Sequence, residues 1–131
     1  MHILIVEDDE RIVSFMKRGL EAEDFTVAVA AGTSQAIGMI NERSYDLVII
    51  DIFLGPDDGL DLCQALRLRR VESPILIMTA KGTPETEKAS KKAGANGYLA
   101  KPFAFEDLIA TIARLRTSCL PSDSLKEVRA K

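Results

Sequence analysis

The sequence predicts an α/β domain: a doubly wound, five-stranded parallel sheet with five helices. Three observations predict it. Five short runs are almost wholly apolar, HILIV (2–6), FTVAV (25–29), LVII (47–50), PILIM (74–78) and NGYLA (96–100), and segments with helical spacing separate them. Strands without polar alternation are those covered on both faces. Strict alternation of strand and helix implies parallel pairing through right-handed crossovers.

The elements follow in order. After the first run, Ile12, Phe15, Met16, Gly19 and Leu20 fall on one face of a helix over about 10–22. Ala36, Ile37 and Ile40 mark a second helix, and Leu62, Cys63 and Leu66 a third. The fourth, PETEKASKKA (84–93), offers only Ala89 and Ala93 as clear apolar contacts, so burial anchors it weakly. That pattern suits a moving or partner-binding surface and equally an ordinary solvated helix. Leu108, Ile112 and Leu115 mark the fifth helix. Beyond Arg116 the pattern lapses into TSCLPSDSLKEVRAK, which reads as a linker or loosely held tail. The expected division is a domain over 1–117 and a tail over 118–131.

A chain of 131 residues has room for one ordinary core. Its 20 acidic and 17 basic residues give a net charge of −3, with no basic footprint for nucleic acid or an anionic membrane. Direct nucleic-acid contact by this domain is therefore not expected. No apolar run approaches the ~20 residues of a membrane span, and no charged leader precedes the first strand. A cytoplasmic location is expected. Cys63 and Cys119 are far apart and lack CxxC spacing, which indicates neither a disulfide framework nor a zinc site. His2, the one histidine, is not expected to bind metal or take part in catalysis.

The residues at the strand ends carry the chemistry. ILIV runs into Glu7 and Asp8, LVII into Asp51, ILIM into Thr79 and GYLA into Lys101. In an open parallel sheet the carboxyl ends share one edge, where ligands bind, so three carboxylates, a hydroxyl and an ammonium should converge. Two carboxylates about 4 Å apart repel by roughly 4 kcal/mol at an effective dielectric near 20. A divalent cation answers that repulsion, and all-oxygen ligands suit Mg2+. Lys101 and Thr79 are the groups expected around a transferring phosphoryl group, and Asp51 is the best nucleophile candidate. Each residue also has a plainer reading as a cap, loop starter or solvated charge, and Asp9 and Glu10 are most simply the start of the first helix. The joint placement after separate strands favours the site.

VEDD at 6–9, DIFLGPDDG at 51–59, TA at 79–80 and KPF at 101–103 carry a family resemblance. In that order and spacing they resemble the receiver domain of two-component response regulators over about residues 2–116. The resemblance implies a flavodoxin-like sheet of strand order 2-1-3-4-5. It also implies a signalling switch rather than an enzyme, in which Asp51 accepts a phosphoryl group from a sensor histidine kinase or phosphotransfer domain. Mg2+ would be held by Asp8, Asp51 and the backbone carbonyl of Phe53, with Glu7 often acting through water. Lys101 and Thr79 would contact the phosphoryl oxygens. Thr79 and Tyr98 would couple the site to the face of the fourth helix, fifth strand and fifth helix. The Lys101-Pro102 bond matches one usually cis.

The first half, ERIVSFMKRGLEAEDFTVAVA, is most similar to receivers of OmpR-type transcription factors. The later half departs from them. Gly97 and Thr111 replace an Asp and an Arg that pair across an active dimer, and Glu87 replaces a basic partner of Asp107. A phosphorylation-dependent homodimer through that face is left without its usual salt bridges. Gly55-Pro56 replaces a more usual Pro at 55. Phe53 and Lys81, at positions that tune dephosphorylation, suggest a phosphorylated state that is not especially short-lived. Moving a two-state equilibrium from about 1:99 to about 99:1 takes about 5.5 kcal/mol, so one hydroxyl and one ammonium predict a partial shift. The chain then reads as the receiver of a longer transcriptional regulator, or as a stand-alone or hybrid-kinase receiver. Two rivals are a small Asp-nucleophile phosphatase of the haloacid dehalogenase type, for which VEDD is not the required DxD, and a flavin carrier, whose phosphate ILIVEDDE would repel.

Overall fold

The computed structural model describes residues 1–118. Five strands, β1 (His2–Val6), β2 (Thr26–Ala30), β3 (Leu47–Asp51), β4 (Ile75–Thr79) and β5 (Gly97–Ala100), form one sheet in the order β2-β1-β3-β4-β5. All neighbouring pairs are parallel. The connecting helices are α1 (Glu10–Ala22), α2 (Thr33–Glu42), α3 (Gly59–Leu68), α4 (Pro84–Ala93) and α5 (Phe105–Ser118). The expected fold class and strand order are those observed.

Successive residues of the inner strands feed opposite cores. Leu4, Val6, Val48, Ile50, Ile75 and Ile77 pack with α2, α3 and the end of α4. Ile3, Ile5, Leu47, Ile49, Leu76 and Met78 pack with α1 and α5. This is why the inner strands read as unbroken apolar runs. The edge strands differ: β2 and β5 are largely half-buried, and Thr26 and Ala100 are exposed.

Strand bounds differ from the sequence reading at the ends that matter. Asp51 and Thr79 are the last residues of β3 and β4, paired in the ladder, whereas the apolar runs placed them just outside. Hydrophobic patterning stops at the first polar side chain, while main-chain pairing does not. A two-residue antiparallel ladder, Phe53–Leu54 with Asp57–Asp58, was not predicted. It closes on Gly55-Pro56, with Gly55 at φ 61°, the positive φ that tight hairpins need. It is too short to have a periodicity.

Phe15 was expected on the buried face of α1, but it is 49% exposed, with its ring edge-on to Phe105 at 6.0 Å. The fourth helix is also better anchored than its sequence suggests. Ser90 is fully buried and donates to the Thr86 carbonyl at 2.8 Å. Arg67 of α3 donates to the carbonyl of Gly94, the α4 C-cap, at 2.9 Å and to Asn96 Oδ1 at 2.7 Å. Cys63 lies in the core, as expected for a small apolar helix residue. The expected tail meets α5 only at Ser118; its other residues, Cys119 among them, lie outside the described ones.

Two glycines give opposite predictions. A Cβ at Gly59, the first residue of α3, would collide with the Asp51 carbonyl oxygen and stand 2.8 Å from Ile50 Cγ2. A Cβ at Gly38, in α2, meets nothing within 4 Å. Gly59→Ala is expected to destabilise by about 1–3 kcal/mol. Gly38→Ala is expected to stabilise by roughly 0.5–1 kcal/mol, both read from urea midpoints.

Candidate functional site

In the order β2-β1-β3-β4-β5 the chain steps outward from β1 to β2 and then crosses to β3 on the other side. The crevice at the carboxyl ends of β1 and β3 is the switch point where such sheets bind ligands. Val6 pairs with Ile50, so Glu7 lies level with Asp51 at that crevice. Asp51 pairs with Met78 and Thr79 with Ala100, so each strand carries its polar residue to the same edge.

Glu7 and Asp51 are buried there, at 2% and 4% exposure, while Asp8 is exposed. Single carboxylate oxygens of the three lie within 4.8 Å of one another. Lys101 Nζ bridges the buried pair, donating to Glu7 Oε1 at 2.9 Å and to Asp51 Oδ2 at 3.1 Å. The Lys101-Pro102 bond is cis. The second Glu7 oxygen accepts the backbone amides of Asp8 and Asp9, at 3.1 and 3.2 Å. Asp51 Oδ1 has one long contact, from the Phe53 amide at 3.4 Å. The Asp8 carboxylate has no hydrogen bond or ion pair among the described residues. Asp9 caps α1 through the Arg11 amide at 2.9 Å, and Glu10 opens the helix.

Burial pushes the Glu7 carboxyl up from 4.5 to about 7, a rise that Asp51 reinforces and the Lys101 hydrogen bond opposes. Burial alone would lower the Lys101 ammonium, but hydrogen bonds to Glu7 and Asp51 outweigh it and hold its pKa above the ordinary value. One ammonium thus faces three carboxylates, and the crevice keeps an excess of negative charge.

The other candidate residues lie close by. Thr79 is fully buried, and its hydroxyl accepts the Lys81 amide at 3.0 Å. Phe53, 48% exposed, presents its ring to Lys81 Nζ, which lies 5.6 Å from the centroid. Tyr98 stands apart from the acids: its ring packs on the α2–α3–α4 core, and its hydroxyl lies 2.6 Å from Thr86 Oγ1. Beside the acids, a cleft of about 410 Å3 is lined by Ile12, Phe15, Ala80, Lys101, Pro102 and Phe103.

Three positions escaped the sequence reading. Gly59 lets α3 start against the Asp51 carbonyl, and its signal was a glycine directly after the helix-capping Asp58. Asp57 accepts the Thr33 amide at 3.1 Å, tying the short hairpin to α2, whose N-cap Gly32 has no side-chain bond. Thr86 pairs with Tyr98, and only its capping spacing from Thr83 was visible in the sequence.

The raised Glu7 pKa has a defined sign. Its stabilisation is complete below the unfolded value of 4.5 and is lost as pH rises through about 7. In metal-free buffer the thermal midpoint of Glu7→Gln is expected to gain on that of the parent between those pH values. The gain should be several degrees, at roughly 3 °C per kcal/mol for a domain of this size. A difference that stays flat with pH contradicts the assignment.

Comparison with known proteins agrees with this geometry. Residues 3–113 match the response regulator receiver domain family. The transcriptional regulatory protein TcrA of Mycobacterium tuberculosis is 35% identical over 115 residues, covering 88% of this chain and 46% of that protein. The response regulator MprA of Mycobacterium avium is 34% identical over 128 residues, covering 98% of this chain and 56% of that protein. The chain thus spans about half the length of these relatives. Among solved structures, the receiver domain of the Francisella response regulator 1452 superposes with a TM-score of 0.84 at 30% identity, covering 89% of this chain and 97% of that one. The beryllofluoride-activated NtrC4 receiver domain, solved as a dimer, gives a TM-score of 0.84 at 25% identity, over 90% of this chain and 98% of that one. With a matched span that reaches all five strands of the sheet and holds the whole acidic crevice, the chain belongs to the family of response regulator receiver domains.

Proposed function

We propose that the domain is a phosphoacceptor switch in which Asp51 takes a phosphoryl group from the phosphohistidine of a sensor kinase or phosphotransfer domain. The bond from phosphorus to the histidine nitrogen breaks as the bond to an Asp51 carboxylate oxygen forms. The observation that carries this reading is the Lys101 ammonium, held on both Glu7 and Asp51 at the mouth of a buried acidic crevice.

The donor set fits Mg2+, being hard oxygens with excess negative charge. Asp8 and Asp51 would hold the ion with the Phe53 carbonyl; Glu7, occupied on both oxygens, suits an outer role. When bound, Mg2+ supplies charge neutralisation for the transferring group. Lys101 keeps its charge and is placed to leave Glu7 for a phosphoryl oxygen on Asp51. The buried Thr79 hydroxyl, which among the described residues accepts only the Lys81 amide, retains its proton for a second oxygen. The role is that of a switch and not of an enzyme with an external substrate.

Phosphorylation leaves about −1.5 to −2 charges at Asp51 where the carboxylate carried one, and the response is assigned to Thr79, Tyr98 and the face of α4, β5 and α5. On that face Thr111 is buried and bonds back to the Asp107 carbonyl at 2.8 Å, so it is unavailable to a partner. A homodimer there would lack the usual OmpR-type pairings. The apolar cleft beside Lys101, with exposed Phe15 in its wall, suits the kinase or phosphotransfer partner. Among the described residues no helix is long and apolar enough to cross a membrane, and a cytoplasmic setting fits the reading. The half-length match to transcriptional regulators supports a receiver within a longer transcription factor.

The test is incubation with acetyl phosphate and Mg2+, followed by intact-mass measurement. One added phosphoryl group is expected, absent in Asp51→Asn, with the rate falling on the order of a hundredfold when the metal is chelated. Labelling that survives Asp51→Asn overturns the acceptor assignment, and steady turnover of a phosphate ester favours the phosphatase reading.

A further inference from the structure

Thr86 sits where three hydrogen-bonded paths meet. Its Oγ1 lies 3.0 Å from the Thr83 amide, 2.9 Å from the Thr83 carbonyl, 3.0 Å from the Lys81 carbonyl and 2.6 Å from the Tyr98 hydroxyl. A hydroxyl has one proton to give and two lone pairs to receive. The amide of Thr83 takes one lone pair, and the carbonyls of Lys81 and Thr83 compete for the proton. The Tyr98 hydroxyl at 2.6 Å and the Thr83 hydroxyl at 3.2 Å share what remains, and all three capacities of Thr86 are filled.

The same residue closes the start of α4. Thr83 Oγ1 accepts the Thr86 amide at 3.1 Å while Thr86 Oγ1 accepts the Thr83 amide, a reciprocal capping box. Back along the chain, Lys81, whose carbonyl faces the Thr86 hydroxyl, gives its amide, in the preceding peptide unit, to Thr79 Oγ1. The path from Thr79 through the Lys81 main chain and Thr86 to Tyr98 therefore runs over three hydrogen bonds and the two peptide units that flank the Lys81 Cα. Gly82 makes the approach possible: a Cβ there would stand 2.6 Å from Ala100 Cβ and 3.5 Å from the Tyr98 hydroxyl.

We infer that Thr86 is a positioning residue that couples Thr79 to Tyr98 and to the N-terminus of α4. It holds the Lys81 carbonyl and with it the Lys81 main chain, whose amide fixes the Thr79 lone pair and so the direction left to the Thr79 proton. It also makes the Tyr98 hydroxyl part of the helix cap, so departure of Tyr98 weakens the first turn of α4. Such a path is a physical network with two ends, and a perturbation at either must be felt at the other. The inference deepens the phosphoacceptor reading, since Thr79 belongs to that site, but its test needs no phosphoryl group.

Amide resonances and hydrogen exchange of the whole chain are measured without phosphodonor in the parent, Thr86→Val, Thr86→Ser and Tyr98→Phe. Thr86→Val is expected to speed exchange of the Thr83 amide about tenfold, the size of a lost cap, and to shift the Lys81 amide. Thr86→Ser should restore both. Tyr98→Phe, which leaves the capping box intact, should shift the Lys81 amide in the same direction, and Thr79→Ala should shift the Tyr98 ring resonances. If Tyr98→Phe leaves Lys81 and Thr83 as in the parent, Thr86 is only a cap and the inference fails. It fails equally if Thr79→Ala leaves the Tyr98 ring unmoved. Should Thr86→Val fail to fold, the Tyr98 and Thr79 variants decide alone.

Discussion

The ammonium of Lys101, shared between Glu7 and Asp51, is the interaction on which the rest of the site depends. Two carboxylates at 2% and 4% exposure cannot both stay ionised side by side without a partner. The partner comes from a residue 94 positions from one acid and 50 from the other, so it exists only in the folded sheet. Neutralisation is incomplete: Glu7 is pushed up to about 7, and Asp8 stands outside the ion pair. The crevice is thereby poised for added positive charge rather than satisfied within itself.

The sheet is what makes this tolerable. β1, β3 and β4 are buried on both faces, so their positions are set by two packed cores. Each inner strand delivers its polar residue at one edge, to within a residue of register. Gly59 allows α3 to begin directly against the Asp51 carbonyl, and Asp57 ties the short hairpin after Asp51 to α2. The acceptor carboxylate is therefore fixed through its own backbone.

The opposite side of the site is built differently. Thr79 is in the core, but the residues after it are exposed, and order there comes from hydrogen bonds centred on Thr86 rather than from burial. The C-terminal half of α4 is held by Ser90, Ala93 and Arg67, while its first turn rests on capping. A helix firm at one end and hydrogen-bonded at the other can respond at the second end without losing its place in the fold.

The sequence by itself determined the fold class, the five strands and helices, and the convergence of Glu7, Asp8, Asp51, Thr79 and Lys101 at one sheet edge. Apolar periodicity records burial on two faces, and a strand's exit residue is legible as the polar residue that ends an apolar run. The Asp9 cap was legible too, because capping is local. Only the tertiary structure decided which acids Lys101 binds, that Phe15 is half outside, that Ser90 is inside, and that Tyr98 meets Thr86. Those facts depend on distances between elements remote in the chain. A polar residue's type does not say which of several partners its proton will find.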